Sequence, residues 1–547
     1  MTAHPPRAPR RSFACIAALV LAAPLAAQTS LTQPPPLGAP AELRLPAVQL
    51  AKLPNGITLR LVEMHEVPLV QITLRINGGA RLDGDLAGLA TFTANMLDEG
   101  AGTRDAFGIA AQAAYLGADL STAADWDHLY VSLNTPKRTL AEGLDLLADL
   151  ALRPTFKATD VARERDLRLA QIIQQRDQPN PTASLAFNAI TFPAGHPDHR
   201  PANGDSSSTA QLDSLAVRRF YQRLARPDQA EFVISGDITI AEAKREIAAR
   251  FGRWIPDRMA RLRPPVAPAV APPAQRTVYL VDKPGAAQSV IMIGAPGVLR
   301  ANPDYAAIEV MNTILGGSFS SRLNQNLRET KGYSYGAGSS FAWRPLPGPF
   351  VARSAVRSDV TDSSLVEFFK ELNAIRDAPV SEIELDRARN YIALALPGQF
   401  ETTGQMADQI GELLDFGLPT SWFTTYLRQV GAVTAADVQR VARRYIDPAR
   451  VHVVVVWDVE KIRSGMRGPD VGAACMRPLH AAPTCGPYMR PLHAAPTCGP
   501  CMRPLHAAPT CGPRRPIAVQ CSTGHPCPRP SPGLPLMRDA PTGMLAR

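Results

Sequence analysis

An internal duplication constrains this chain more than any other feature, because similar landmarks recur in its two halves. In the first half, Pro227 precedes the apolar run AEFVIS and Asp237. In the second half, Pro448 precedes RVHVVVVW and Asp458. The two prolines are 221 positions apart, and so are the two aspartates. Each half opens with two short β-like runs and later shows long helical periodicity. Strands followed by helices and a closing strand predict an α+β fold of two homologous domains, each a mixed β-sheet flanked by helices.

A proline-rich stretch separates the two halves. Six prolines fall within the 18 residues from Pro256 to Pro273, a composition typical of a semi-rigid linker. The predicted organisation is a signal peptide (1–27), a Pro-rich arm (28–47), an N-terminal domain (48–255), a Pro-rich linker (256–275), a C-terminal domain (276–464) and a low-complexity tail (465–547).

The N-terminus resembles an export signal. Arg7, Arg10 and Arg11 precede an apolar run from Phe13 to Ala23, which is too short to cross a bilayer. We therefore expect an exported, periplasmic protein. The arginine pair also resembles a twin-arginine signal, so the general and the twin-arginine export routes both stay open. No later segment reaches 18 uninterrupted apolar residues, and no transmembrane segment is expected.

Charge and cysteine content exclude several classes of function. The formal charge of +9 comes from the two ends, since residues 465–547 alone carry nine Arg against two Asp. The nearly neutral body gives no electrostatic basis for binding nucleic acid. All eight cysteines lie outside residues 29–464, which excludes a disulfide framework and any Cys-ligated metal site from the body.

The tail differs in kind from the body. The string MRPLHAAPTCGP recurs with a period of 13 residues, starting at Met476, Met489 and Met502. Its proline content and its lack of hydrophobic periodicity predict that it forms no packed core. The repeated Cys and His could bind a metal such as zinc, but an unstructured, expanded repeat is the simpler interpretation.

The segment LAGLATFTANMLDEGAGTRD carries a resemblance to a known family. Gly88, Phe92, Met96-Leu97 and Gly100 match the frame of the active helix of the pitrilysin/insulinase/mitochondrial-processing-peptidase family of zinc metallopeptidases. Active members carry HxxEH on this helix and a distal Glu ligand seven residues past the Glu of a second helix. In this chain the corresponding residues are Thr91 and Asn95 for the two His ligands, Ala94 for the catalytic Glu, and Gln171 for the distal ligand.

All four replacements remove the chemistry that zinc catalysis needs. Thr91, Asn95 and Gln171 offer only neutral oxygens, and Ala94 has no group that accepts a proton. We therefore expect no metal at this site and no catalytic residue of the chain's own. A relocated metal at His196 and His199 stays open as an alternative, although the family commonly has a structural GHP turn here. Residues 63–66 are interpreted as a solvated hairpin between the first two strands.

The second half resembles the family more strongly. The string NTILGGSFSSRLNQNLRETKGYSYGAGSSF matches the signature in which an Arg and a Tyr seven residues later reach the substrate carbonyl beside the zinc of active relatives. Here the pair is Arg328 and Tyr335. A guanidinium and a phenol are strong donors that can stabilise a developing oxyanion. The alternative is that Arg328 is a surface cation and that Tyr335 packs its ring.

The resemblance implies a fold and a function. Two homologous domains are expected to form a clam-like chamber, with residues 117–122 as an edge strand whose usual Asn-Ala is Ser121-Thr122 here. The chain resembles the non-catalytic subunit of bacterial heterodimers. It would supply Arg328 and Tyr335 in trans to a homologous, HxxEH-bearing partner that holds the zinc, and would act on peptides or small unfolded proteins. The alternatives are a non-proteolytic binding or scaffold protein and an independent peptidase with a relocated metal.

Overall fold

The computed structural model describes residues 43–256 and 262–458, together with a short strand at 475–478. The predicted signal peptide, most of the predicted Pro-rich arm, part of the predicted linker and nearly all of the predicted tail lie outside the described residues. The helices and strands of the first half are β1 (Gln49–Lys52), β2 (Thr58–Glu63), β3 (Leu69–Asn77), α1 (Leu89–Asn95), β4 (Gly100–Ala101), β5 (Arg104–Asp105), α2 (Ala106–Leu116), β6 (Asp119–Ala124), β7 (His128–Pro136), α3 (Leu140–Leu152), α4 (Ala158–Arg176), α5 (Pro179–Thr191), α6 (Ser206–Thr209), α7 (Ser214–Leu224), β8 (Ala230–Gly236) and α8 (Ile240–Phe251).

The second half repeats this order with small variations. Its elements are β9 (Thr277–Asp282), β10 (Gln288–Pro296), α9 (Tyr305–Asn312), α10 (Arg322–Asn324), β11 (Ser334–Phe341), β12 (Pro349–Arg357), α11 (Thr361–Asp377), α12 (Glu382–Ala395), α13 (Thr403–Asp415), α14 (Trp422–Ala432), α15 (Ala435–Tyr445), β13 (His452–Trp457) and β14 (Cys475–Pro478). Two π-helical turns, Thr313–Gly317 and Gln325–Thr330, flank α10 on either side.

Each half forms one six-stranded mixed sheet, and the two strand orders correspond. The orders are β6-β7-β3-β8-β2-β1 and β11-β12-β10-β13-β9-β14. The closing strands β8 and β13 lie at the centre, parallel to β2 and β9 and antiparallel to β3 and β10. The α+β fold of two homologous domains in a clam-like arrangement is thereby confirmed. Strand β6, which contains Ser121 and Thr122, is an edge strand as expected.

The expected hairpin at residues 63–66 is wrong. Strands β2 and β3 do not pair with each other, because β8 lies between them in the sheet. His65 instead contacts Asp237 at the end of β8, at 2.7 Å. A short apolar run shows that a strand is buried but does not indicate which strand lies beside it, so proximity along the chain misled the prediction.

The two halves exchange helices. Helix α5 of the first half buries Ala183, Ala186 and Phe187 against apolar residues of the second sheet, including Val290 and Val454. Helix α13 of the second half packs in return against β3 and β8 of the first sheet. The boundary along the sequence is therefore not a boundary in space, since each sheet is covered by a helix from the other half.

Polar contacts fasten the α13 side of this exchange. Buried Arg75 on β3 donates to the Gly411 carbonyl at 2.9 Å and forms an ion pair with Asp415, both on α13. Ser235 on β8 donates to the Thr403 carbonyl at 2.5 Å. These bonds give partners to both Nη groups of Arg75 and to the Ser235 hydroxyl, which the interface removes from water.

Two segments that the sequence analysis assigned outside the two domains contact the body. Leu43 and Leu45, in the predicted Pro-rich arm, pack against the apolar core of the second half. Strand β14, in the predicted tail, pairs in parallel with β9 and occupies the position that corresponds to β1. Backbone pairing needs only an extended segment and an available edge, and composition does not reveal it. Among the described residues, no helix is long and apolar enough to cross a membrane.

Candidate functional site

Helix α1 carries three of the four degenerate positions, and its start is fixed by Asp83. The buried Asp83 carboxylate accepts from the amides of Gly88 (2.7 Å) and Ala90 (2.8 Å), which satisfies donors at the start of the helix. Gly88 has a φ of 89° and its Cα faces the Gly204 backbone, so a side chain there would collide with it. The loop at residues 201–205 is thereby held against the start of α1.

Among the positions that correspond to the zinc ligands, Thr91 has hydrogen bonds of its own. The buried Thr91 hydroxyl lies 3.1 Å from the carbonyl oxygens of both Gly88 and Ala202. Ala94 is fully buried in the first core. Asn95 and Gln171 are exposed on α1 and α4. Thr91 therefore contributes to local structure and presents no free donor set.

Arg168 on α4 introduces a cation into this group. Its Nη2 donates to Asn95 Oδ1 at 3.0 Å, while Asn95 Nδ2 donates to the Thr91 carbonyl at 3.1 Å. Its Nη1 donates to the Asn203 carbonyl at 2.9 Å. Burial lowers the pKa of Arg168 from its ordinary value, but a guanidinium stays protonated in proteins. Sequence reasoning missed this residue, although its place three positions before Gln171 puts both on one helix face.

These residues do not fit the zinc ion that the fold family implies. Zinc sites use imidazole, thiolate or carboxylate ligands, whereas Thr91, Asn95 and Gln171 are neutral oxygen donors. The Arg168 guanidinium bonded to Asn95 adds a repelling positive charge. Across the parts of the chain that the structure describes, no group of three His, Cys, Asp or Glu side chains could hold a metal ion.

The two histidines of the GHPDHRP loop have structural contacts. His196 is buried, stacks on Phe192 with ring centroids 4.7 Å apart, and accepts the Asp198 amide at Nδ1. His199 Nδ1 lies 2.8 Å from the Phe192 carbonyl. Asp198 forms an ion pair with Arg344 of the second half. The arrangement favours the structural turn over the relocated metal site.

Arg328 and Tyr335 both lie in segments of irregular backbone. Arg328 lies in the π-helical turn Gln325–Thr330, with its guanidinium 4.4 Å from the centre of the Phe319 ring. The pairing of β11 with β12 shifts register between Ser334 and Ala337, so Tyr335 lies in a bulge. Bulges re-aim side chains, and the Tyr335 side chain is 91% exposed. The alternative interpretation, in which this ring packs as a strand residue, is not supported.

The pair lines one cavity of about 580 Å³. Its walls come from β10, β11 and β12 of the second half and from α5 of the first half, which contributes Ser184. Gly316 permits the adjoining helix end to touch β11, since an added side chain would lie 2.2 Å from the Ser339 nitrogen. Arg322 braces the same region through two bonds to Glu384, at 2.7 and 3.0 Å. The structure thus places Arg328 and Tyr335 on the wall of one cavity, next to a region that the Arg322–Glu384 bonds stabilise.

Fold and site together define a peptidase-like protein with a degenerate metal helix. Residues 61–196 match the family model described as insulinase (peptidase family M16), and residues 212–392 match the model described as peptidase M16 inactive domain. The chain therefore belongs to the M16 family, and it resembles the members that lack HxxEH.

Curated relatives align along most of their length. An uncharacterized zinc protease of Mycobacterium tuberculosis is 28% identical over 422 residues, covering 73% of this chain and 92% of that protein. A non-peptidase homolog, YmxG of Helicobacter pylori, is 22% identical and covers 73% of this chain and 91% of its own length. Similarity therefore extends to relatives named as proteases and to one named as a non-peptidase.

Solved structures share the fold. A peptidase M16 inactive domain from Pseudomonas fluorescens has a TM-score of 0.69 at 25% identity, covering 75% of this chain and 98% of that one. The periplasmic protease PqqL of Escherichia coli has a TM-score of 0.64 at 18% identity, covering 79% of this chain and 50% of that one.

Proposed function

We propose that this chain is the catalytically incomplete subunit of an exported, heterodimeric zinc metallopeptidase. The observation that carries the proposal is the exposure of Tyr335 beside Arg328 on one cavity, in a chain whose α1 helix does not fit zinc. An aromatic side chain left in water gives the monomer no packing energy. Its position is accounted for if it meets a substrate in the assembled enzyme.

The two side chains suit the stabilisation of an oxyanion. A guanidinium and a phenolic hydroxyl can both donate to the oxygen that becomes negative when a peptide carbonyl is attacked. The partner, a homologous chain with HxxEH, would hold the zinc that activates the attacking water. This chain would then bind and orient the substrate, a peptide or small unfolded protein, and bind no zinc itself.

Export is part of the proposal. The basic and apolar leader supports it, and a structural relative is named as a periplasmic protease. The leader lies outside the described residues, so detection of the chain in the periplasmic fraction is the direct test.

The test of the catalytic role is reconstitution with the HxxEH partner encoded by the same host. Arg328→Ala or Tyr335→Phe should lower kcat of the complex by about 10²–10³-fold, the usual cost of removing one oxyanion donor. Tyr115→Phe is the matched control, because Tyr115 on α2 is also exposed, at 88%, and lies far along the chain from the cavity. The double variant should lose less than the product of the single losses if the pair acts as a unit.

A non-proteolytic binding or scaffold protein is the second candidate, favoured by the relative named as a non-peptidase homolog. Full peptidase activity in a complex assembled with the double variant Arg328→Ala, Tyr335→Phe would remove the catalytic role and favour this candidate. Failure to recover any HxxEH partner on co-purification from the host would do the same.

A further inference from the structure

A second cavity lies beside the degenerate helix. It measures about 380 Å³, within the range of about 300–1,000 Å³ that small-ligand sites occupy. Helices α4 and α5, the loop at residues 199–205 and Arg344 of the second half form its walls. Ser184 lines this cavity and the one that holds Arg328 and Tyr335, so the two cavities share a wall.

Thr91 and Asn95, at two of the ligand positions, and Arg168 on α4 hold the wall of this cavity. Thr91 donates to the Ala202 carbonyl and Arg168 to the Asn203 carbonyl, and both carbonyls belong to the lining loop. Asn95 keeps the Arg168 guanidinium in place at 3.0 Å. Helix α1, which lacks the zinc ligands, therefore supports the wall of the cavity next to it.

The charge of the lining is positive. Arg176, Arg200 and Arg344 contribute three cations, and Asp205 is the one lining carboxylate that the structure describes. Arg200 is paired with Asp205 at 3.0 Å, and Arg344 is paired with Asp198. Within the described residues, the Arg176 guanidinium has no ion-pair or hydrogen-bond partner. It is therefore available to an anionic ligand.

The rest of the lining is apolar and aromatic. Trp126, Ile172 and Leu185 contribute to it, and Arg344 lies over the Trp126 ring with its guanidinium carbon 5.1 Å from the centre. Apolar walls with a few charged groups bind small organic groups by burial and orient them by charge. Arginine is the side chain best suited to a planar carboxylate, to which it can donate two parallel bonds.

We propose that this cavity binds a carboxylate of a peptide. The carboxylate is either the peptide's own C-terminus or an acidic side chain, and an apolar residue of the peptide lies beside it. The assignment of a peptide as the ligand rests on the proposed function and adds an anchoring site for the substrate. Arg176 supplies the free positive charge, and the loop held by Thr91 and Arg168 supplies the wall.

The test uses the full, isolated chain without its partner. Isothermal titration calorimetry at low salt compares acetyl-Ala-Ala-Leu-Leu carrying a free carboxylate with the same peptide amidated. The free acid should bind at least about tenfold more tightly, because a charge-assisted bond outweighs a neutral one. An amidated peptide that ends in Glu identifies the source, since its binding assigns the site to acidic side chains as well.

Two variants locate the binding. Arg176→Gln should weaken binding of the free-acid peptide at least about tenfold and leave binding of the amidated peptide unchanged. Ala189→Trp should block binding of both peptides, because the larger side chain fills the cavity that Ala189 lines. Arg219→Gln, at an exposed arginine on α7, is the matched control and should change nothing. Thermal midpoints confirm that the variants fold.

Equal binding of acid and amide, or no binding, overturns the proposal. Loss of binding in Arg328→Ala but not in Arg176→Gln also overturns it, because the peptide would then occupy the neighbouring cavity. Since this assay needs neither zinc nor the partner, its failure is distinguishable from failure of the reconstituted peptidase.

Discussion

At the scale of single residues, the degenerate helix has become part of the local hydrogen-bond network. Thr91, Asn95 and Arg168 form a chain of bonds that ends on the carbonyls of residues 202 and 203. A reversal of the ligand substitutions alone therefore leaves a guanidinium among the ligands. Charges of the same sign a few ångströms apart repel by several kcal/mol where water is partly excluded.

Restoring the ligands gives a prediction about zinc. The variant Thr91→His, Ala94→Glu, Asn95→His, Gln171→Glu should bind zinc weakly, and adding Arg168→Leu should tighten binding at least about tenfold by removing the repulsion. Arg163→Leu in the same background is the control, since Arg163 lies on α4 but pairs with Glu99 and Glu164. Competition with a chromophoric chelator measures the affinities. Equal affinities with and without Arg168 would show that the guanidinium moves aside freely.

Sequence patterns revealed the losses at this site but not their replacement. Thr91, Ala94, Asn95 and Gln171 could be placed because each occupies a fixed offset within a frame of glycines and apolar residues. Arg168 could not, because its partner, the Asn203 carbonyl, lies 35 residues away on a loop whose path the sequence does not specify. Backbone acceptors leave no trace in residue type.

At the scale of helices and strands, an ion pair joins α10, the short helix that precedes the Arg328 turn, to α12. Glu384 accepts two bonds from Arg322 and one from the Ser381 amide, where it completes the capping box of α12. The hydrogen bonds from Arg322 lower the pKa of Glu384 to about 2, below its ordinary value. The charged form is therefore favoured in the folded protein.

The sign of this shift predicts a loss of stability in acid. Since the pKa is lower in the folded state, Glu384 contributes stability above its ordinary pKa of 4.5 that is lost as pH falls toward 2. Glu384→Gln should cost about 1 kcal/mol at neutral pH, reduced by solvent screening of a partly exposed pair. The difference from wild type in urea unfolding should shrink toward zero as pH is lowered. Glu382→Gln, exposed in the same turn, should show no such trend.

The tail strand leads to a second prediction at this scale. A chain ending at residue 466 leaves the outer edge of β9 without β14, and unpaired edges promote association between chains. Light scattering should show concentration-dependent self-association of this form, whereas a chain ending at residue 487, which retains β14, should behave as the full chain does. Identical scattering from both truncations would show that the pairing with β9 adds nothing in solution.

Strand existence was readable from the sequence, and strand order was not. The runs that became β2, β3, β9 and β10 are apolar and short, as buried strands are. In each sheet the two opening strands are separated by the closing strand, β8 or β13. From the end of an opening strand to the start of the closing strand, the chain runs some 150–170 residues. Helices α5 and α13 also show apolar faces, but an apolar face does not specify which sheet will cover it.

At the scale of the whole molecule, the helix exchange predicts that the halves unfold together. Phe187 on α5 is fully buried against the second sheet although it belongs to the first half. Phe187→Ala should cost about 3–5 kcal/mol through lost burial and the cavity left behind. Because α5 joins the two sheets, this cost should lower the stability of both halves at once. Calorimetry and spectroscopic probes of each half should therefore report one coincident transition at a lower temperature.

The matched control is Phe107→Ala on α2, where the side chain is 87% exposed and should contribute almost nothing. Separate expression of residues 43–256 and 276–458 extends the test. Each fragment would expose the sheet face that the other fragment's helix covers, so neither should show a cooperative transition alone, and mixing should restore it. Two separate transitions in the intact chain, with Phe187→Ala moving only one of them, would contradict the coupling. The two halves would then be independent folding units joined by the linker. The exchanged helices would contact the other half without contributing to its stability.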